Sequence, residues 1–433
     1  YDRHDLWALD PTGKGSPRNI TEGVGRRENL RFRYIRLDRD ENAIAENAPL
    51  LLSAFHYRTK EDGFWRDRVA GAATPERLVM MDRSFSRPIK AEDADVLLYS
   101  RQSFVEFPDL WVADLDFSSP RKITALNPQQ AEYRWGTAEL VEWTSTDGIP
   151  LQGILYKPED FDPSKKYPMV VYFYETMSDL LHAHYAPVPH RSRINPTFFV
   201  SRGYLVFIPD IVYRTGYPGE SAMNAVMPGV LALIARGYVD EANIGLQGHS
   251  WGGYQIAYMV TKTRLFKAAA AGAPVANMTS AYGGIRWETG MSRQFQYERT
   301  QSRIGAPLWE RPIQYFENSP LFWLDKVETP LLVLHNDEDG AVPWYQGIEL
   351  YMGLRRLGKP VWLVNYNGEP HWPTTAANKR DWNIRLQQFF DHYLKGEPAP
   401  VWLAEGIPAV KKGRTLGLEP AEAPRPATDG AQP

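Results

Sequence analysis

The stretch Gly248-His249-Ser250-Trp251-Gly252, followed by Gly253, fits the G-x-S-x-G pattern of a serine nucleophile. A nucleophilic serine held on a sharp turn between strand and helix needs small neighbours, because a β-carbon there would crowd the turn. The pattern by itself arises by chance, so its setting carries the weight. An apolar run, Ile244-Gly245-Leu246-Gln247, leads into it, and a helical pattern starting at Tyr254 leads out. That is the strand–turn–helix context the motif requires.

A serine hydroxyl attacks only when a base removes its proton. Nine histidines are available. His4 and His56 lie in the front third. His182, His184 and His190 share a polar, aromatic loop with no carboxylate at ligand spacing, so no metal site is expected. His249 adjoins the serine and is expected to point away from it. His335 ends a strand-like run and His392 sits in a helical pattern, where structural roles are expected. His371 differs, because it follows an apolar strand in the loop Asn367-Gly368-Glu369-Pro370-His371. Loops at the carboxyl ends of sheet strands are where such sites are built, so His371 is the expected base. The orienting acid should follow the preceding strand, and the segment from His335 to Pro343 offers Asp337, Glu338 and Asp339. With Asp339 as acid, the order is serine, acid, histidine, at spacings of 89 and 32 residues. That is the chain order of α/β-hydrolases. The oxyanion needs two donors. One is the backbone N–H of Trp251, after the nucleophile. At the end of the strand 169–174, Tyr174 offers either a phenol for the second or ordinary core packing.

These residues require a sheet to bring them together. Apolar runs at 169–174, 204–209, 243–247, 268–273, 330–334 and 361–366 read as buried parallel strands. Helical patterns at 221–236, 252–263, 344–357 and 379–394 alternate with them. A hairpin over 140–156 turns at Thr146-Asp147-Gly148 and precedes them. The fold class is therefore α/β, an α/β-hydrolase domain over 136–398 with a doubly wound, mostly parallel sheet. Residues 1–135 instead alternate short apolar runs with turn residues. Asp5-Leu6-Trp7 with Ile20-Thr21 nearly repeats as Asp109-Leu110-Trp111 with Ile123-Thr124, and Phe64-Trp65 with Arg77 looks like a degenerate middle copy. The two outer tryptophans are 104 positions apart, about two propeller periods. A partial β-propeller is expected. Two or three blades cannot close a ring, so part of the propeller is expected to be missing ahead of Tyr1. Residues 399–433, rich in Pro, Ala and charge, are expected to be a flexible tail.

Composition removes several function classes. The 433 residues include no cysteine, which excludes disulfide scaffolds, thiolate metal sites and cysteine nucleophiles. The formal charge of -3 offers no basic field for nucleic acid. No apolar run is long enough to span a bilayer. The sequence begins with Tyr1 rather than Met, so it is expected to be a fragment or processed form whose targeting end is missing, which leaves periplasmic, extracellular and cytoplasmic locations open.

The segments Tyr167 to Tyr174, Pro209-Asp210, Gly216 to Gly219, Gly248 to Tyr254, Ala273-Pro274-Val275 and His335 to Pro343 resemble the prolyl oligopeptidase (S9) family of serine peptidases, in its dipeptidyl peptidase and acylaminoacyl peptidase branches. The resemblance covers most of 136–398 and is looser ahead of it, where the family carries a propeller that limits access to short peptides. It implies Ser250 as nucleophile, Asp339 as acid, His371 as base, and the Tyr174 hydroxyl as oxyanion donor. It also places Trp251, Val275 and Val342 in the pocket for the residue before the scissile bond. Met278 stands where the dipeptidyl peptidases have tryptophan, and Ala281 where they have tyrosine, with Tyr282 next door as a substitute. Ala341 replaces an asparagine. These departures weaken the case for a proline-stacking pocket and leave an apolar one as the expectation. The resulting expectation is a serine peptidase for short peptides, working through an acyl-enzyme and needing no cofactor. An esterase or an inactive peptide-binding scaffold are the alternatives. Exo- and endopeptidase modes stay open, as does a homodimer.

Overall fold

The structure, a computed structural model, describes residues 1–38, 40–70 and 74–422. It divides into two compact units, Tyr1–Glu139 with Ser178–Ala186, and Leu140–Met177 with Pro187–Pro433.

In the first unit, strands Leu30–Ile35, Pro49–His56, Asp62–Arg68 and Glu76–Met81 form a four-stranded antiparallel meander. Alternation buries both of its faces. Leu30, Phe32, Leu52 and Trp65 pack with Leu6, Ile20 and Val24, while Ile35, Leu51 and Phe64 pack with Leu97 and Tyr99 of a second sheet and with Phe117 in one of its turns. That second sheet is antiparallel along Val96–Gln102, Asp109–Asp114 and Arg121–Lys122. Both sheets are antiparallel, with strands adjacent in sequence paired along most of each sheet.

The repeat seen in the sequence has a structural cause. Trp7 pairs with Asn19 and Trp111 with Lys122, while Trp65 of the middle copy pairs with Arg77. In both outer copies a threonine hydroxyl donates to an aspartate and accepts a backbone N–H. Thr21 donates to Asp5 at 2.7 Å and accepts from Leu6, and Thr124 donates to Asp109 at 2.7 Å and accepts from Leu110. The same carboxylates take a further amide, of Gly25 and Leu126 respectively. Aspartate and threonine are thus needed at these spacings to close each hairpin. Gly63 and Val79 stand in the corresponding places of the middle copy, which lacks the clasp.

The segment Ser178–Ala186 departs from the expected unbroken 136–398 domain by belonging to the first unit. Asp179 pairs with the buried Lys60 at 3.0 Å, and the His184 ring stacks on Trp135 at 4.9 Å.

The second unit is built on an eight-stranded sheet, β1 (Thr137–Thr144), β2 (Pro150–Lys157), β3 (Tyr167–Tyr172), β4 (Leu205–Pro209), β5 (Val239–His249), β6 (Ala268–Gly272), β7 (Leu331–Leu334) and β8 (Val361–Val364). The spatial order is β1-β2-β4-β3-β5-β6-β7-β8. β2 meets β4 antiparallel, and every pairing from β4 to β8 is parallel. Helices α1 (Pro218–Ala235), α2 (Trp251–Met259), α3 (Tyr345–Arg356) and α4 (Ala376–Lys395) cover the faces. This is the α/β-hydrolase fold read from the alternating pattern.

Much of the expected tail is ordered against this unit. The Trp402 indole donates to Gln388 at 2.8 Å, the Trp362 indole to the Leu403 carbonyl at 3.0 Å, and Arg385 to the Leu416 carbonyl at 3.0 Å. Two large apolar side chains, Trp402 and Leu403, are buried there and anchor a segment whose Pro and charge content suggested none. Residues 423–433 of the expected tail lie outside the described residues.

The loop from β8 to α4 is clasped by Glu369. Its carboxylate accepts from the Thr374 and Thr375 amides, both their hydroxyls, and Asn378. Burial would raise its pKa, but these bonds outweigh it and hold the carboxyl down at about 2. The unfolded chain therefore binds this proton more readily. The clasp's stability is full above the ordinary carboxyl range and is lost as pH falls toward 2.

Asp109→Ala should lower unfolding free energy by about 1–3 kcal/mol, the usual cost of orphaned buried partners. An unchanged urea midpoint would show the clasp to be incidental. Glu369→Gln should lower the melting temperature at neutral pH and flatten its decline between pH 5 and 3. Parallel melting curves for parent and variant over that range would remove Glu369 as the acid-sensitive group.

Candidate active site

The turn between β5 and α2 carries Ser250 in a backbone conformation that L-residues rarely adopt, φ 60° and ψ −117°. Its amide donates to the Gly272 carbonyl at 2.7 Å, and its carbonyl accepts from the Tyr254 amide as α2 begins. The motif's glycines are required by contact. A β-carbon on Gly252 would lie 2.5 Å from the Phe173 carbonyl oxygen, and one on Gly253 would lie 2.3 Å from that of Gly272. The strain at Ser250 is thus held by two neighbouring strands pressing on the turn. The Trp251 amide, first in α2, has no acceptor within the helix.

Asp339 lies in the loop after β7 and is 2 % exposed. The Nδ1–H of His371 donates to its Oδ2 at 2.7 Å, and Oδ1 accepts from the amides of Ala341 and Val342. Nε2 of His335 stands 3.3 Å from Oδ2 and 3.0 Å from the Val342 carbonyl. Burial alone would raise the pKa of Asp339, but the two imidazoles hold the carboxyl well below its usual range. His335, read as structural, is therefore a direct neighbour of the acid. Asp337 is turned the other way, toward the His371 loop, and accepts from the Gly368 amide and Asn367. Asn336 also reaches that loop, donating to the Pro370 carbonyl at 2.9 Å. Glu338 is exposed.

Two cavities open on Ser250. The larger, about 430 Å³, is walled by Ser250, His249, His371, Trp372 and Tyr174 among others. His249 borders the same cavity as the serine. Its ring packs edge-on against His371 at 4.8 Å, because β6 closes the other side. Burial first, and then His371, hold His249 well below the usual imidazole range, so it is a neutral wall. The smaller cavity, about 90 Å³, is walled by Ser250, Trp251, Tyr174, Val275 and Val342 together with Arg286, Arg293 and other polar residues. The expected apolar pocket is thus polar on one side. Met278 and Tyr282 do not line it. They belong to the buried aromatic layer behind, where the Tyr282 hydroxyl donates to Glu298 at 2.6 Å.

Tyr174 borders both cavities. Its hydroxyl accepts from the Gln301 amide at 2.7 Å, which leaves its own proton free to donate. Its carbonyl is held by Gln255 at 2.8 Å and by Tyr213 at 3.1 Å, and Tyr213 in turn accepts from the Trp251 indole at 3.0 Å. Tyr213, Gln255 and Gln301 carry no motif, so nothing along the chain marks them. Of the remaining histidines, His190 accepts from the amides of Ser192 and Arg193, and burial with nearby arginines presses its pKa to about 4. Among the described residues no group of three or more histidine or acidic side chains could hold a metal.

The geometry can be set beside known proteins. Residues 189–397 match the profile of the prolyl oligopeptidase family. Dipeptidyl-peptidase 5 of Porphyromonas endodontalis is 24% identical over 326 residues, covering 69% of this chain and 44% of that protein. Peptidase YuxL of Bacillus subtilis is 27% identical over 280 residues, covering 61% and 40%. The chain therefore spans less than half the length of these relatives. An acylaminoacyl peptidase of Pyrococcus horikoshii shares the fold at a TM-score of 0.65 with 19% identity, over 83% of this chain and 57% of that one. The catalytic-type turn lies inside the matched region, and over that region the chain is similar to the prolyl oligopeptidase family.

Proposed function

We propose that this chain hydrolyses peptide bonds of short peptides, with Ser250 as nucleophile, His371 as base and Asp339 as the orienting acid. The observation that carries the reading is the 2.7 Å bond from His371 Nδ1–H to a buried, ionised Asp339, on a histidine that shares one cavity with Ser250. The carboxylate commits the imidazole proton to Nδ1, which leaves the Nε2 lone pair to take the serine proton. Ser250 Oγ attacks the substrate carbonyl. The charge that develops on its oxygen is met by the Trp251 N–H and the Tyr174 hydroxyl. The imidazolium, stabilised by Asp339, returns the proton to the leaving amine. Water, deprotonated by the same histidine, then cleaves the acyl-enzyme. The two sheets of the first unit are read as part of a β-propeller. The names of the relatives, dipeptidyl-peptidase and acylaminoacyl peptidase, agree with short substrates.

Ser250→Ala should cut turnover by about six orders of magnitude, as for other triad nucleophiles. Tyr174→Phe should cost about 10²–10³ in kcat with the fold intact, the usual worth of an oxyanion donor. Equal rates for Tyr174→Phe and parent would remove that residue from the mechanism. A fluorophosphonate probe should label Ser250, and an aminoacyl anilide should be cleaved. Exclusive cleavage of nitrophenyl esters would assign an esterase, and no labelling would assign a scaffold.

A further inference from the structure

The small cavity beside Ser250 contains an unmatched cation. Arg293 is 1 % exposed. One of its terminal nitrogens donates to the Ala341 carbonyl, the other to the Tyr297 hydroxyl at 3.0 Å, and its Nε–H has no partner. No carboxylate lies within ion-pair distance of it among the described residues. Other arginines of this unit are treated differently, since Arg385 meets Asp381 at 2.7 Å and Arg303 meets Glu175 at 3.1 Å. Glu298, from the same segment as Arg293, is taken by the Tyr282 hydroxyl, and Glu288 is exposed on the wall of the larger cavity. Arg286 adds a second guanidinium that borders both cavities, tied among the described residues only to the neutral Gln296 at 3.3 Å.

A buried guanidinium held by a carbonyl and a phenol keeps its full charge without a counter-ion, a costly arrangement that an incoming anion would relieve. The surroundings suit a carboxylate on a short stem. Trp251, Val275 and Val342 supply apolar lining for methylene groups, and Gln296, Gln301 and Ser302 add polar groups. The cavity, about 90 Å³, holds one small side chain and begins at Ser250 itself.

We propose that this cavity binds the side-chain carboxylate of the residue on the acyl side of the scissile bond, so that the chain cleaves after aspartate or glutamate. The inference rests on the peptidase reading above and adds a substrate class to it. Arg293 is the binding cation, and Arg286 adds long-range attraction at the mouth.

The test is a set of peptide anilides with Glu, Asp, Gln, Asn, Ala or Pro before the anilide, each with free and blocked amino ends. Glu or Asp should exceed its amide counterpart in kcat/KM by about 10- to 100-fold, since a charge-assisted pair replaces a neutral one. Arg293→Met should bring that ratio close to one, and Arg293→Lys should leave an intermediate ratio. Fluorophosphonate labelling of Ser250 in each variant reports whether the site is still assembled. Should Arg293→Met fail to label, the parent's ratio and that of Arg286→Gln, which should fall by a smaller factor, decide the matter. A parent that labels but cleaves the amide or proline substrates as fast as the acidic ones overturns this inference and leaves the peptidase reading standing. Selectivity only for peptides with a free terminal carboxylate overturns the side-chain assignment. No labelling and no cleavage of any substrate overturns both.

Discussion

A carboxylate buried beneath a sheet edge must be surrounded by donors, and the arrangement around Asp339 follows from that need. Two amides of its own loop and two imidazoles converge on it. The amides force the turn after β7, and His335, at the end of the same strand, closes the other side. His371 must arrive from the loop after β8. Asn336 and Asp337 bind that loop directly, and Glu369 clasps its far side. The polar residues between positions 335 and 378 thus form one system whose effect is to hold a single imidazole in one tautomer and one place.

Against this stands the strain at Ser250. A non-glycine residue at positive φ is tolerated because β3 and β6 leave no room for the turn to relax, and because glycines occupy the points of closest approach. The electrostatic character of the site then divides in two. The acid and its imidazoles are compensated among themselves. The guanidiniums of Arg286 and Arg293, which wall the small cavity beside the nucleophile, have no carboxylate partner among the described residues. An apolar pocket of the kind used for proline would have no use for that charge.

In the first unit the same rule operates at the scale of a hairpin. Each outer repeat spends an aspartate and a threonine to satisfy backbone groups at the edge of a two-stranded turn. The middle copy, with Gly63 and Val79 in these places, does without them. Repeat-like sequence here records a local hydrogen-bonding solution used twice.

The chain's order of apolar runs and turn residues was enough to determine the α/β-hydrolase sheet, the strand–turn–helix around Ser250 and the loops carrying Asp339 and His371, because these depend on local periodicity and on small residues at fixed spacing. The front hairpins were legible for the same reason. Sequence did not reveal that His335 touches the acid, that His249 walls the base, or that Gln301 braces Tyr174, since each contact joins positions brought together only when the sheet is complete. Nor did it reveal that Trp402 and Leu403 anchor residues that read as a tail, or that Ser178–Ala186 joins the first unit. The pocket is the clearest case. Val275, Met278 and Tyr282 suggested an apolar cleft, but the folded chain turns Met278 and Tyr282 inward and brings Arg293 to the cavity wall instead. Which side chains face a cavity is set by how distant segments pack, and charge left without a partner becomes visible only when all the neighbours are in place.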